Sequence, residues 1–215
     1  MKPILIFDYD GTIHNTIEIY EPCFRKTHKW LIENGYCPDT EVPLSRIRSW
    51  LGINSKDMWN DFLPDLPDPI KEKASRMTGQ GMIDAIASKK AVWYDGAAGV
   101  LDTLRERDYE MYVLSNCKTA YKNINFVTFD MKKWFRDFID CESYNWAKKT
   151  EIVKDFMIKH PGEYIVIGDR DKDIECARAC NGLSIGCLYG FGSKEELKTA
   201  DYLITDISCL TDILR

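Results

Sequence analysis

No run in this 215-residue sequence is apolar for long enough to cross a bilayer, so a membrane-spanning helix is not expected. The apolar residues ahead of Asp8 are too few to form the hydrophobic region of a signal peptide. Positive charge is never gathered into a stripe. The net charge is −5, and basic residues fall in short pairs such as Lys89-Lys90 and Lys132-Lys133. That pattern reads as solvated surface and argues against nucleic acid as a partner. Histidine is scarce, at three residues, and none stands beside Cys176 and Cys180 to complete a zinc site. The eight cysteines lack the spacing of a disulfide scaffold, and they are expected as mostly buried free thiols of a cytoplasmic protein. Internal repeats and low-complexity segments are also missing. The remainder, 45% hydrophobic and 29% charged, has the composition of an ordinary globular protein. Its length suits one large domain or a core with a smaller insert.

What is present begins at Ile4-Leu5-Ile6-Phe7, four apolar residues without alternation that end in polar turn formers. This is the pattern of a short buried strand. Asp8-Tyr9-Asp10-Gly11-Thr12 follows. Two carboxylates one residue apart repel each other unless a cation or phosphate chemistry uses them, whereas Asp-Gly alone marks a turn.

Helical spacing of Ile17, Tyr20, Phe24, Trp30 and Leu31 predicts a helix over 13–33, stopped by Gly35 and Pro38. Further helices are expected at 44–51 and 56–62, with a proline-rich loop at 64–69. A last one at 70–89 is expected to be interrupted at Thr78-Gly79-Gln80-Gly81. No strand is expected between 15 and 89. After Val92 the texture changes, and helices alternate with short strands at 111–114, 138–140, 164–167, 183–188 and 202–204. Such alternation predicts an α/β fold: a three-layer α/β/α Rossmann-like core with a parallel sheet.

The polar residues fall at informative places. Asp8 and Asp10 follow one strand, Ser115 and Asn116 a second, and Gly168-Asp169 a third. Open parallel sheets bind ligands outside the carboxyl ends of their strands. Asp8, Asp10 and Asp169 are hard oxygen ligands suited to Mg²⁺. Asp173, one helical turn beyond Asp169, is placed to orient water or Asp169 itself. Ser115 and Asn116, with loop amides, can bind phosphate oxygens, and a lysine at the start of the helix at 149 can supply positive charge. Blander readings compete. Ser115 suits a helix cap, and Asp173 suits a first-turn acid favoured by the helix dipole. Arg46 and Arg48 could pair with a substrate carboxylate but read better as a solvated helix face. Trp50, Met58 and Trp59 read as core of the helical stretch, His14 and His28 as structural, and Arg170 as a residue meeting substrate or that stretch.

Taken in order, Asp8-Tyr9-Asp10-Gly11-Thr12, Ser115, Lys148/Lys149 and Gly168-Asp169-x-x-x-Asp173 resemble the four motifs of the haloacid dehalogenase-like superfamily. The helical stretch after the first motif is similar to the cap of its phosphoglycolate phosphatase-like branch, and so is the segment from Gly182 to Gly192. The resemblance implies a catalytic core at 1–14 and 90–215 with an all-helical cap at 15–89. It implies that Asp8 is the nucleophile and becomes an aspartyl phosphate. Asp10 would protonate the leaving group and then take a proton from water. Asp8, Asp10 through its carbonyl, and Asp169 would hold Mg²⁺. Thr12, Ser115 and Asn116 would hold the phosphoryl group, with the lysine offsetting its charge. Asp10 at the second motif position disfavours halide displacement. Two features depart from the family pattern: Asn15 stands where many relatives are acidic, and the usual Lys-Pro pair is missing. Lys149-Thr150-Glu151 fits a Lys-x-Glu variant, which favours Lys149 over Lys148. The expectation is a Mg²⁺-dependent phosphatase, monomer or homodimer, for a small phosphorylated metabolite, with phosphoglycolate as default. Alternatives are pyrophosphate, a nucleotide or a sugar phosphate as substrate, a phosphomutase on the same scaffold, or a non-catalytic phosphate-binding module.

Overall fold

The computed structural model describes residues 2–215. Six strands form: β1 (Ile4–Phe7), β2 (Met111–Ser115), β3 (Phe135–Asp140), β4 (Tyr164–Gly168), β5 (Leu183–Cys187) and β6 (Tyr202–Ile204). They make one sheet in the order β3-β2-β1-β4-β5-β6, and every neighbouring pair is parallel. Parallel neighbours need crossover connections, which here are helices. They are α1 (Ile17–Glu33), α2 (Leu44–Ser49), α3 (Ser55–Phe62), α4 (Asp68–Ala87) and α5 (Ala97–Glu106), all between β1 and β2, then α6 (Thr119–Thr128), α7 (Lys149–Lys159) and α8 (Asp171–Ala179). The expected α/β fold with a parallel sheet is present.

Sheet alternation splits the core in two. Leu5, Phe7, Met111, Val113, Ile165 and Ile167 face one layer of buried side chains, with Val100, Leu101 and Leu104 of α5. Ile4, Ile6, Tyr112, Leu114 and Val166 face the other, with Ile152 and Val153 of α7 and Cys176 and Ala177 of α8. Because both faces are covered, β1 is buried at all four positions, which is why it reads as an unbroken apolar run. A third cluster lies apart from these, with Ile17, Tyr20, Phe24 and Leu31 of α1 packed on Ile47, Trp50, Met58, Trp59 and Ala74. Each such side chain contributes on the order of 1.5–3 kcal/mol by leaving water.

The first and fourth helices differ from the sequence expectation. The first helix begins at Ile17 rather than 13, because residues 13–15 are tied into extended pairing: Tyr94 N–H donates to Ile13 O at 2.9 Å and Asn15 N–H to Val92 O at 3.0 Å. The fourth runs unbroken through Thr78-Gly79-Gln80-Gly81. There the glycines serve packing: a Cβ on Gly81 would lie 2.9 Å from Cys23 Sγ on α1. Thr78 Oγ1 donates to Thr27 Oγ1 of α1 at 2.9 Å, which fixes the same contact. Pro69 is accommodated in the first turn of α4, where a missing N–H costs little, so that helix starts inside the expected proline-rich loop.

All eight cysteines are free and five are buried. Among the described residues no helix is long and apolar enough to cross a membrane.

Candidate active site

The strand order reverses beside β1, and the carboxyl ends of β1, β2 and β4 open onto one crevice, as a doubly wound sheet dictates. Asp8 is the first residue past β1. Its N–H continues the ladder to Ile167 O at 2.8 Å, so its position is set by the sheet and not by a loose turn. From the other side comes Lys149, the first residue of α7, whose Nζ donates to Asp8 Oδ1 and to Asp173 Oδ1, each at 2.7 Å. Lys149 is 7% exposed, whereas Lys148 stands in solvent at the helix cap. Burial works against the Lys149 charge, but Asp173 and Asp8 outweigh it and hold the ammonium well above the usual lysine range.

Asp169 follows β4 and is fully buried. Phe191 N–H donates to its Oδ2 at 2.7 Å, while Oδ1 has no partner. A cradle of glycines makes room for it. Gly11 has a φ of +87°, and a Cβ on either Gly11 or Gly190 would collide with the Asp169 side chain. Asp173, at the start of α8, accepts the Arg170 N–H on Oδ2 at 3.0 Å and Lys149 on Oδ1. Asp8, Asp169 and Asp173 each offer a carboxylate oxygen within 4.8 Å of the others. Burial pushes the Asp8 carboxyl up to about 7, with Lys149 opposing and Asp173 adding to the rise. Burial and the neighbouring Asp8 and Asp173 push Asp169 well above its ordinary value. One ammonium does not balance three converging carboxylates, and the free Asp169 oxygen is a hard donor with no hydrogen-bond partner. The donor set fits a small divalent cation.

Asp10 is the second acid of the motif, but its side chain points to a different set of partners. Oδ1 accepts Thr16 Oγ1 at 2.6 Å and Tyr121 OH at 2.7 Å, and His14 Nδ1 lies 3.3 Å away. With both hydroxyl protons directed at Asp10, the assignment that satisfies the network puts the His14 proton on Nδ1. Burial alone would raise the Asp10 carboxyl, but His14, Thr16 and Tyr121 outweigh it and hold it below the ordinary range. His14, expected to be structural, is fully buried and part of this clamp, with partners the sequence did not name. Its four-residue spacing from Asp10 was a usable signal. Tyr121, on α6 and 111 residues from Asp10, gave none.

The remaining expected residues are placed as follows. Thr12 is fully buried with Oγ1 unpartnered. Ser115 ends β2, also buried, and Asn116 Nδ2 reaches Gly52 O at 3.4 Å, linking the sheet edge to the helical segment. Arg170 pairs with Glu196 at 2.7 Å and donates to Leu51 O. Arg48 is not a solvated face: it donates to Gly190 O at 3.1 Å and lies over the Phe191 ring. Arg46 is half exposed beside Asp61, at 3.6 Å. Trp50, Met58 and Trp59 are buried, and they also border a cavity of about 750 Å³ that extends from Asp8, Asp10 and Ser115 to the faces of α1, α3 and α4.

A family model described as haloacid dehalogenase-like hydrolase matches residues 5–186. The chain is 24% identical over 219 residues to pyrophosphatase PpaX of Listeria monocytogenes, covering 98% of this chain and 95% of that protein. It is 23% identical over 223 residues to glyceraldehyde 3-phosphate phosphatase of Methanocaldococcus jannaschii, covering 98% and 96%. In fold it resembles the crystal structure of a predicted phosphoglycolate phosphatase from Haemophilus somnus, with a TM-score of 0.83 at 17% identity over 100% of this chain and 98% of that one.

Proposed function

The chain belongs to the haloacid dehalogenase-like hydrolases, and on that premise we propose that it is a Mg²⁺-dependent phosphatase that cleaves a phosphate monoester through an aspartyl-phosphate intermediate. The observation that carries this reading is the placement of Asp8. Its carboxylate follows β1 and meets the Lys149 ammonium at 2.7 Å, within 4.8 Å of a carboxylate oxygen of Asp169, and it lines a cavity open to a substrate.

In this reading Asp10, ionised in the free site, takes up a proton as the anionic phosphate comes to stand beside it. An Asp8 oxygen then attacks phosphorus, the phosphorus–oxygen ester bond breaks, and the leaving alkoxide takes that proton from Asp10. Water then attacks the acyl phosphate, Asp10 takes its proton, and inorganic phosphate leaves with Asp8 restored. The clamp of Thr16, Tyr121 and His14 engages Asp10 Oδ1 and leaves Oδ2 without a partner among the described residues, available to the reacting oxygen. Lys149 fixes Asp8 and offsets phosphoryl charge, Asp173 positions Lys149, and Thr12, Ser115 and Asn116 supply donors to the phosphoryl oxygens. Asp8, the Asp10 carbonyl and Asp169 would hold Mg²⁺, which when bound screens the nucleophile from the anionic phosphate. Residues 15–89 act as a cap that shields the reaction from water and selects the substrate.

The relatives' names differ in substrate, with pyrophosphate, glyceraldehyde 3-phosphate and phosphoglycolate among them, so similarity does not rank phosphoglycolate above the others. The mechanism is tested with Asp8→Asn, which keeps the volume and removes the nucleophile. Phosphate release from p-nitrophenyl phosphate with Mg²⁺ should be lost while the circular dichroism spectrum is kept. Retained turnover would remove the nucleophile assignment.

A further inference from the structure

We infer that the substrate is a phosphate monoester carrying a flat aromatic body, and that Trp146 stacks on that body at the mouth of the cavity. This rests on the phosphatase reading above and deepens it.

The cavity is the first ground. At about 750 Å³ it is far larger than a two- or three-carbon phosphate fills, and it lies within the range of sites that enclose drug-sized ligands. Away from the Asp8 end Tyr20, Trp50, Leu51, Met58, Trp59 and Met77 give its walls a mainly apolar surface, with Ser55, Ser75, Thr78 and Gln80 among them. A carboxylate or a second phosphate placed against the apolar part of these walls would lose hydration there, whereas a flat aromatic body would not.

The cations are the second ground. Three border the cavity, and two of them are engaged elsewhere: Lys73 Nζ lies 4.4 Å over the Trp30 ring, and Arg76 is 3.7 Å from Glu72. Lys118, the third, lies two residues past Asn116, on the side of the cavity that holds Ser115. Arg48 and Arg170, which could otherwise reach toward the interface, are committed to Gly190 O and to Glu196. Neither Lys73 nor Arg76 is therefore held in place to receive a distal carboxylate or a second phosphoryl group.

Trp146 is the third ground. It borders the cavity, is 44% exposed, and has a φ of +61°, next to Asn145 at +53°. A left-handed conformation is costly for a bulky aromatic residue, and such strain gathers at ligand sites. The turn is held by Trp146 N–H donating to Cys141 O at 2.8 Å and Asn145 N–H to Glu142 O at 3.0 Å. The residue that bears this cost lines the cavity and is partly exposed, two residues ahead of the Lys148-Lys149 pair. Stacking a base on such a ring strengthens binding roughly tenfold or more.

Adenosine 5′-monophosphate and ribose 5-phosphate share the same primary alkyl leaving group and differ in the flat base, so the pair isolates the body of the substrate. Phosphate release with Mg²⁺ should give a kcat/KM at least tenfold higher for the nucleotide than for ribose 5-phosphate, phosphoglycolate or pyrophosphate. Trp146→Gly, whose backbone adopts this φ without strain, should pull the nucleotide-to-ribose ratio toward unity while the melting temperature holds or rises. A ratio at or below one in the native protein, or a ratio untouched by Trp146→Gly, overturns the inference and leaves the phosphatase reading standing. If no ester releases phosphate, that reading fails instead. Calorimetric titration of the same two compounds then decides the stacking separately, since equal affinity for both would exclude an aromatic site.

Discussion

The ammonium of Lys149 lies 2.7 Å from the carboxylate of Asp8, and both groups are more than nine-tenths withdrawn from solvent. The same nitrogen is 2.7 Å from Asp173, so one cation supports two buried anions from distant parts of the chain. Removing it leaves both uncompensated. Lys149→Met should cost about 3–5 kcal/mol of folding stability in the absence of metal, as for any broken buried pair. In an Asp173→Asn background the same change should cost at least about 1 kcal/mol less, because the groups share one interaction. Urea titration of the four proteins measures this, and additive losses would show the contacts to be independent.

Metal should stabilise the fold through the same cluster. The unpartnered Asp169 oxygen and the Asp8 carboxyl, which burial pushes up to about 7, both gain from a divalent cation. Mg²⁺ at a hundred times its dissociation constant should add about 2.7 kcal/mol and raise the melting temperature, with a chelator reversing the rise. Asp169→Asn should abolish most of that increment. A melting temperature indifferent to Mg²⁺ in the native protein would argue against a cation site here.

The clamp on Asp10 predicts a catalytic effect from residues that touch no substrate in the proposed mechanism. Tyr121→Phe removes one of the hydroxyls on Asp10 Oδ1 while keeping the ring. It should lower kcat roughly tenfold, a fraction of the hundredfold or more that a positioned acid or base contributes, with little change in KM. A KM effect alone would place Tyr121 in substrate binding instead.

Asp140 governs acid stability away from the chemistry. It accepts Lys122 Nζ at 2.6 Å, Thr119 Oγ1 at 2.8 Å and Ser143 N–H at 2.8 Å. Burial would raise its carboxyl, but Lys122, Ser143 and Thr119 outweigh that and hold it below the ordinary value. A carboxyl lowered by folding contributes stability that is complete above its unfolded value, about 3.9, and is lost as pH falls through the lower folded one. Asp140→Asn should therefore flatten the stability profile below about pH 4 and cost about 1–3 kcal/mol at neutral pH, read by denaturant titration across pH.

Much of the fold was legible because its signals are local. Ile4–Phe7 announces a strand buried on both faces, and the alternation after Val92 announces a parallel sheet. The continuity of α4 was hidden, since glycine reads as a breaker in sequence and only the approach of Cys23 on α1 shows Gly81 to be a contact point. Arg48 was misread for the same reason. Nothing near it in sequence indicates Gly190 O, 142 residues away.

By itself the sequence determined that acids would collect at one edge: parallel strands all end on the same side, and Asp8, Asp10 and Asp169 each follow a strand. Which of two adjacent lysines enters that edge, which side chains grip Asp10, and what kind of body the cavity admits were decided only in three dimensions. Those outcomes depend on helix orientation and on contacts across a hundred residues or more, where neighbour spacing along the chain carries no information.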